Sequence, residues 1–148
     1  MFRLRAATPD DVDAILPRTA ALNAHEGIAV TRVALEAALR RLLGDRMLGG
    51  VWLVCSEDLA SIVGYAIVTY GFDLEFGGRD AWLTELWIDD AARGKGAARA
   101  ALDQLPSVLR GAGVAALHLQ VRPENPAMRL YERAGFATSP RKIMTRKL

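Results

Sequence analysis

The sequence predicts a single α/β (α+β) domain, residues 1–148, built on a mixed β-sheet flanked by helices. Two observations predict this class. Short apolar or alternating segments typical of strands recur along the whole chain, and helical patterns separate them in the order strand, two helices, three strands, helix, strand, helix, strand. A chain of 148 residues, 51% of them hydrophobic and without a repeat or linker, is also sufficient for one core.

The N-terminal region predicts one strand and two helices. Apolar and basic residues alternate over Phe2–Ala6, which is typical of a strand. Thr8, followed by Pro9 and two acids, has the pattern of a helix start, and Pro17 is expected to kink or end that helix. A looser stretch follows from Asn23 to Val30. Thr31 then caps a second helix, which Gly44 closes.

The middle of the chain predicts an antiparallel hairpin and a third strand. Val51–Ser56 and Ile62–Tyr70 are apolar runs separated by a turn, which favours a hairpin. Residues Gly71–Asp80 are expected to form a glycine-bearing loop. The apolar run Ala81–Ile88 is then another strand.

The C-terminal region begins with a helix from about Gly96 to Arg110, in which Pro106 predicts a kink or an early stop. A strand, Ala116–Val121, follows. The pair Asn125-Pro126 then opens a short helix that runs to Ala134 and ends at Gly135. The last predicted element is an edge strand, Lys142–Arg146.

Composition excludes several classes of protein. The net charge of +2 is too small to indicate nucleic-acid binding, and the basic C-terminus is interpreted as a solvated edge. Cys55, the only cysteine, lies in an apolar run and is expected to be buried and inert. His25 and His118 are far apart in the chain and make a poor metal pair, so no metal is expected. Apolar runs are too short to span a membrane and no signal peptide is evident, so the expected location is the cytoplasm.

The segment Arg93-Gly94-Lys95-Gly96-Ala97-Ala98 has the pattern of an anion-binding loop. It follows a strand and opens a helix, where free N–H groups and the helix dipole attract phosphate. Two better-known phosphate loops do not fit. A P-loop needs Ser or Thr after Gly-Lys, where this chain has Gly96, and a dinucleotide fingerprint needs a third glycine where it has Arg99.

These residues and their context resemble the GCN5-related N-acetyltransferase (GNAT) superfamily. The loop matches the family motif Gln/Arg-x-x-Gly-x-Gly/Ala, with Arg93 first and Ala98 last. The preceding strand resembles the family's fourth strand. Downstream, Asn125, Tyr131, Gly135 and Phe136 match the family's asparagine–tyrosine–glycine–phenylalanine segment.

The resemblance implies that acetyl-CoA is the cofactor and lies between two splayed parallel strands, Ala81–Ile88 and Ala116–Val121. The pantetheine arm would pair with the first strand, and the pyrophosphate would lie on the loop. The residues that the resemblance assigns to the cofactor are Leu86, Trp87, Ile88, Arg93, Gly94, Lys95, Gly96, Ala97, Ala98, Asn125 and Tyr131.

Two side chains are candidates for proton transfer. Glu85 lies in an otherwise apolar strand, where it could take the amine proton directly or through water; the alternative is a structural carboxylate paired with an arginine. Tyr131 could donate a proton to the leaving sulfur; the alternative is a core tyrosine. Asn125 before a proline is also explained as a helix cap.

The expected acceptor is the primary amine of a small basic molecule, such as a diamine or polyamine. Acidic and aromatic residues that suit a cation mix in one segment: Phe72, Asp73, Leu74, Glu75, Phe76, Asp80 and Trp82. The alternatives are an ordinary surface loop, with a protein or peptide N-terminus or a lysine as acceptor, and a non-catalytic acyl-CoA-binding module. A homodimer is left open.

Overall fold

The structure is a computed structural model that describes residues Met1–Leu148. One sheet contains all five strands in sequence order: β1 (Phe2–Ala6), β2 (Gly49–Ser56), β3 (Ile62–Asp73), β4 (Gly78–Ile88) and β5 (Val114–Leu119). The helices are α1 (Val12–Glu26), α2 (Arg32–Gly44), α3 (Ala97–Gly111) and α4 (Met128–Arg133). Strands β1 to β4 are antiparallel, whereas β4 and β5 are parallel, so the predicted mixed sheet is confirmed.

The sheet has two covered faces. On the first, called the α1–α2 face, Ile15 and Leu16 of α1 pack with Leu53 and Tyr65 of the sheet, and all four side chains are fully buried. On the opposite face, called the α3 face, Leu105 of α3 packs among residues of β3 and β4. Since successive side chains of a strand point to opposite faces, the position of each residue along β4 decides which face it serves.

A β-bulge interrupts this alternation in β4. Residues Val68 and Ile67 are neighbours in β3, but their partners in β4 are Leu83 and Glu85, which leaves Thr84 as the extra residue. Leu83 packs on the α3 face, and so does Leu86, three residues later. The bulge therefore turns Glu85 to the α1–α2 face, where simple alternation from Leu83 would have placed it on the other.

Neither helical proline ends its helix, contrary to part of the sequence prediction. Pro17 lies inside α1, which continues to Glu26, so the predicted loose stretch begins only at the left-handed Gly27. Pro106 lies inside α3, which continues to Gly111. Buried side chains flank both prolines, and this packing outweighs the roughly 3 kcal/mol cost of an interior proline.

Residues Gly71–Asp80 do not form the predicted loop. Strand β3 runs on to Asp73 and β4 begins at Gly78, so only a short 3₁₀ turn, Leu74–Phe76, joins them. Gly77, in the left-handed conformation with φ of 70°, closes this turn. Asp80 is therefore a buried strand residue, 7% exposed.

The predicted strand Lys142–Arg146 is also absent. Ile143 and Met144 are 53% and 93% exposed, so pairing has no apolar face to bury in compensation for ordering the backbone. The short helix begins later than predicted, at Met128, and β5 lies two residues earlier than predicted. None of the helices has both the length and the apolarity needed to cross a membrane.

Candidate active site

The glycine-bearing loop leads into the N-terminus of α3, as predicted. Gly94 and Gly96 have φ of 71° and 88°, a conformation that other residues adopt only with strain. The first main-chain hydrogen bond of α3 is donated by the Ala100 N–H to the Gly96 carbonyl at 2.9 Å. The N–H groups of residues 97–99 precede it and have no helical acceptor, so they remain available to an anion.

A cleft of about 360 Å³ opens at this helix start. Gly94, Gly96 and Ala97 line one side, and Leu130 and Arg133 of α4 line the other. A side chain at either glycine would meet no atom within 4 Å, so the small residues keep the cleft open rather than fill a packed site. The dimensions and the free N–H groups suit a phosphate-bearing ligand.

The cations around the cleft are used differently from one another. Arg99 forms an exposed ion pair with Asp103 at 2.8 Å, one turn along α3. Lys95 and Arg133 form no ion pair in the structure, and both are exposed. Arg133 lines the cleft and is therefore free to meet an anion there, whereas Lys95 lies in the adjoining loop and does not line it.

Arg93 holds the loop against the end of β4. Its Nε donates to the Ile88 carbonyl at 3.0 Å, its Nη1 lies 2.7 Å from Asp90 Oδ1, and its guanidinium stacks 4.8 Å from the Trp87 ring centroid. Trp87 Nε1 in turn donates to Asp89 at 3.1 Å. The first residue of the sequence motif is thus part of the scaffold that positions the glycines.

Strand β4 parts from β5 beside this loop. Their pairing ends at Leu83 and Leu119, while β4 continues to Ile88. On that side, residues 84–88 have no neighbouring strand, so an edge of free backbone groups faces an opening in the sheet. An extended ligand can pair with such an edge. The splayed strands implied by the sequence resemblance are present.

Glu85 is hydrogen-bonded to a tyrosine rather than to an arginine. The Tyr65 hydroxyl, fully buried, donates to Glu85 Oε2 at 2.8 Å. Burial raises the pKa of the Glu85 carboxyl above its ordinary value, and the Tyr65 hydrogen bond partly opposes this. Burial, and then the charge of Glu85, also raises the pKa of Tyr65, which therefore stays protonated as a donor.

One carboxylate oxygen of Glu85 remains available. Its Oε1 has no hydrogen-bond partner in the protein, and no buried polar side-chain atom in the structure lacks one, so Oε1 is accessible. A carboxylate with a raised pKa and one open oxygen is a stronger base than an ordinary carboxylate and is suited to accept a proton. The alternative prediction, that Glu85 pairs with an arginine, is wrong.

Tyr131 combines a packed ring with an accessible hydroxyl. The ring lies edge-on to Phe136 with centroids 6.0 Å apart and contributes to the α3-face core. The hydroxyl has no partner and is not a buried unsatisfied atom, so it reaches solvent. Burial raises the pKa of Tyr131, and the nearby charge of Glu26 raises it further, which keeps the phenol protonated.

Asn125 shapes the turn before α4. Its side-chain oxygen accepts from the Ala127 N–H at 2.9 Å, and its carbonyl accepts from the Met128 N–H at 3.1 Å. Asn125 therefore closes a turn before the helix and does not cap it as predicted, because α4 begins at Met128 with Ala127 as its N-cap.

The predicted acidic acceptor segment is dispersed. Glu75 is paired with Arg141 at 2.8 Å, and Asp73 accepts from the Glu75 N–H at 2.9 Å. Phe72 and Leu74 are 74% and 87% exposed at the tip of the hairpin. Asp80 and Trp82 point instead to the α1–α2 face, where the Phe76 ring also lies, and this is the face that carries Glu85.

Sequence analysis missed the partner of Asp80. His118 of β5 places Nε2 3.1 Å from Asp80 Oδ2, and its ring lies between Trp82 and Phe76, with centroids 4.8 and 5.3 Å away. The available signal was a histidine inside the mostly apolar run Ala116–Val121, but spacing alone could not connect it with Asp80, 38 positions earlier.

Comparison with known proteins adds a family to this geometry. The model of the Acetyltransferase (GNAT) family matches residues 23–136, which include β2 to β5, the glycine-bearing loop and α4. The matched region covers well over half of the chain. Every side chain of the candidate active site described in this subsection, apart from Arg141, lies within it.

Solved structures share the fold over nearly the whole chain. An integron cassette protein from the mobile metagenome of Cole Harbour Salt Marsh is 30% identical, with a TM-score of 0.86, over 98% of this chain and 90% of that one. A protein of Clostridium acetobutylicum, described as a predicted acetyltransferase with acetyl-CoA, is 18% identical with a TM-score of 0.79, over 99% and 96%. A possible acetyltransferase of Clostridium difficile 630 is 19% identical with a TM-score of 0.87, over 100% and 98%.

The Tyr65–Glu85 hydrogen bond generates a testable prediction. The hydrogen bond from Tyr65 favours the ionised form of Glu85, whereas burial disfavours it. Tyr65→Phe removes the hydrogen bond and should therefore raise the pKa of Glu85 further. Folded Glu85 binds its proton more tightly than unfolded Glu85. Its contribution to the free energy of unfolding is therefore greatest at low pH and falls as pH rises through the folded pKa. Carboxyl-carbon NMR titration measures the shift, and Tyr70→Phe is the control. An unchanged or lowered Glu85 pKa in Tyr65→Phe would contradict the assignment.

Proposed function

The chain belongs to the GNAT acetyltransferase family, and from this premise we propose that it is an N-acetyltransferase whose acceptor is the primary amine of a small basic molecule. One observation carries the proposal. The open edge of β4 ends in the glycine-bearing cleft at one end and bears Glu85, with an accessible oxygen, on the α1–α2 face. A ligand held by phosphate at the cleft and by backbone along β4 would therefore present its other end close to Glu85.

The residues at the cleft fit acetyl-CoA. The N–H groups of residues 97–99 and the cleft-lining cation Arg133 are suited to its pyrophosphate, and Lys95 adds positive charge in the adjoining loop. The unpaired edge of β4 at Leu86–Ile88 is suited to the amide groups of pantetheine. Arg93 supports the site indirectly, since its guanidinium is engaged with Ile88 and Asp90.

Glu85 is the proposed base. Acetyl-CoA supplies an activated acetyl group as a thioester, and the C–N bond of the product forms as the C–S bond breaks. The attacking amine must be neutral, so one proton has to leave it. Oε1 of Glu85 can take that proton, directly or through a water, while Tyr65 holds Oε2 in place.

Tyr131 is the proposed acid. The leaving sulfur needs a proton, and a phenol that remains protonated at neutral pH can donate one. The ring packing against Phe136 fixes the direction of the hydroxyl. Glu26 lies close enough to influence the hydroxyl, so this side of the opening carries negative charge that favours a cationic acceptor.

A small basic amine, such as a diamine or polyamine, is the proposed acceptor. Negative groups beside the opening support it: Glu85 forms no ion pair, and Glu26 has only a long contact with Arg122, at 3.9 Å. Aromatic rings at Phe76 and Trp82 add faces suited to a cation.

The cofactor site is tested by Gly96→Ala. The added methyl group would enlarge a residue that lines the cleft and strain a backbone with φ of 88°, so affinity for acetyl-CoA should fall about tenfold or more. Gly113→Ala is a matched control, because Gly113 has φ of 80°, also in open space, but lies at the far end of α3. Calorimetric titration compares the two. Equal losses of affinity would show that only backbone strain matters.

The proposed base is tested by Glu85→Gln. Glutamine can still accept the Tyr65 hydrogen bond but cannot take a proton, so the rate at neutral pH should fall by roughly 10²-fold or more. The loss should shrink at high pH, where more of the amine is already neutral. The pH dependence of kcat/KM measures this, with Glu57→Gln, an exposed carboxylate on the β2–β3 turn, as the control. A pH profile identical to the parent would exclude the role.

The proposed acid is tested by Tyr131→Phe. The substitution keeps the packing of the ring and removes only the hydroxyl. Release of coenzyme A in the presence of amines should fall by roughly 10²–10⁴-fold, with little change in affinity for acetyl-CoA. Thiol release measures the turnover, and Tyr70→Phe is the control. Turnover close to that of the parent would return Tyr131 to a packing role.

A further inference from the structure

His118 and Asp80 form a polar pair beside the opening in the sheet. Both point to the α1–α2 face, as their register shows: His118 pairs with Trp82, while the neighbouring Leu117 and Leu119 pack on the α3 face. The next pair along the two strands is Leu83 with Leu119, after which the strands part. His118 therefore lies one residue, or roughly 3.3 Å along the strand, from the start of the opening.

The buried carboxylate of Asp80 orients the ring. Its residue is 7% exposed, and Oδ2 lies 3.1 Å from His118 Nε2, so an ionised Asp80 accepts the hydrogen bond and Nε2 carries the proton. Gly71 makes room for this arrangement, because a Cβ there would lie 2.6 Å from Asp80 Oδ1. Trp82 and Phe76 flank the imidazole on the same face.

The other ring nitrogen faces the open side of the face. Nδ1 of His118 has no partner in the protein, and no buried polar side-chain atom lacks one, so Nδ1 is accessible. The side chain is 27% exposed. In the neutral ring whose Nε2 proton points to Asp80, Nδ1 carries a lone pair, which can accept a hydrogen bond from an ammonium or other N–H group.

No helix covers this part of the sheet extensively. Helix α2 packs against β2, and α1 packs against β3 and β4, so the β4–β5 portion of the α1–α2 face is left to the aromatic rings and His118. Glu85 lies on the same face of β4, three positions beyond Trp82, because the bulge at Thr84 turns it there. The two groups therefore border the same opening from different sides.

We propose that His118, oriented by Asp80 and flanked by Trp82 and Phe76, binds a second, distal amine of the acceptor while the first amine is acetylated at the opening. This assignment rests on the proposed function and makes its substrate class narrower: a short aliphatic amine with a second N–H-bearing, cationic group. The rings of Trp82 and Phe76 contact the aliphatic body and the cation. Selectivity then comes from a semi-buried pair and not from the exposed acids of the hairpin.

The kinetic test compares 1,4-diaminobutane with n-butylamine, which has the same carbon chain but no distal amine. His118→Gln retains an amide that can donate to Asp80 and has no acceptor at the position of Nδ1. The ratio of kcat/KM for the diamine over that for butylamine should fall about tenfold or more, mainly through KM of the diamine. His25→Gln, which changes the exposed histidine of α1, should retain the parent ratio.

Salt distinguishes this site from the hairpin acids. A ratio set at the partly buried pair should persist when the ionic strength is raised, because such contacts are screened weakly. The assignment is overturned if His118→Gln keeps the parent ratio, if the parent does not prefer the diamine, or if the preference disappears with salt in both proteins alike. The last result would indicate that exposed carboxylates such as Asp73 determine the preference for the diamine.

A spectroscopic test separates this assignment from the proposed function. The chain has two histidines, so a ring nitrogen–proton correlation spectrum of ¹⁵N-labelled protein contains two sets of signals. Adding 1,4-diaminobutane with coenzyme A should shift the His118 signals and leave the His25 signals in place. The shift of the His118 signals should be larger than the shift that butylamine produces. An unmoved His118 set overturns the assignment. Absence of coenzyme A release from acetyl-CoA with every amine would instead contradict the proposed function, and the spectrum would still decide whether His118 binds the diamine.

Discussion

The extra residue in β4 is the constraint on which the site depends. A single unpaired residue, Thr84, lets Leu83 and Leu86 both pack on the α3 face and turns Glu85 to the opposite face, beside Tyr65. Without it, strict alternation would direct Glu85 into the apolar core under α3, where a carboxylate would have to be neutral or unfold the strand. The bulge thus divides β4 into two segments with different surroundings. One segment supports the core, and the other borders the opening.

The opening itself follows from the unequal lengths of two parallel strands. Strand β5 stops pairing at Leu119, but β4 runs on to Ile88, supported on its other side by β3. The end of β4 would be a loose edge if nothing else held it. Arg18 of α1 forms a bidentate ion pair with Asp89, at 2.6 Å for the shortest contact, and Arg93 bonds back to Ile88. These contacts fix the start of the glycine-bearing loop relative to the open edge, so that both belong to one rigid frame.

The same frame separates charge that serves the fold from charge that serves a ligand. Arg93, Lys95 and Arg99 cannot be told apart in the sequence, since all three are basic residues within seven positions of one another. In the structure the two arginines are engaged with Asp90 and Asp103, and Lys95 is not engaged. On the other face, Glu75 is neutralised by Arg141, whereas the carboxylate of Glu85 keeps one oxygen accessible. A surface ion pair contributes little to stability, but it decides which charges remain for recognition.

The amino-acid sequence by itself determined the class of the fold, the glycine-bearing loop and the resemblance to the GNAT family, because these depend on local patterns: alternation, caps and glycines at fixed spacing. Its choice of Glu85 and Tyr131 as candidates for proton transfer stays a prediction. The sequence could not determine that Pro17 and Pro106 lie inside continuous helices, since burial on both sides of each outweighs local propensity. Nor could the sequence alone determine which face of the sheet Glu85 occupies, because a bulge depends on the pairing of two strands. Only the tertiary structure brought His118 to Asp80, since hydrogen bonds between distant positions depend on strand register, which no local pattern encodes.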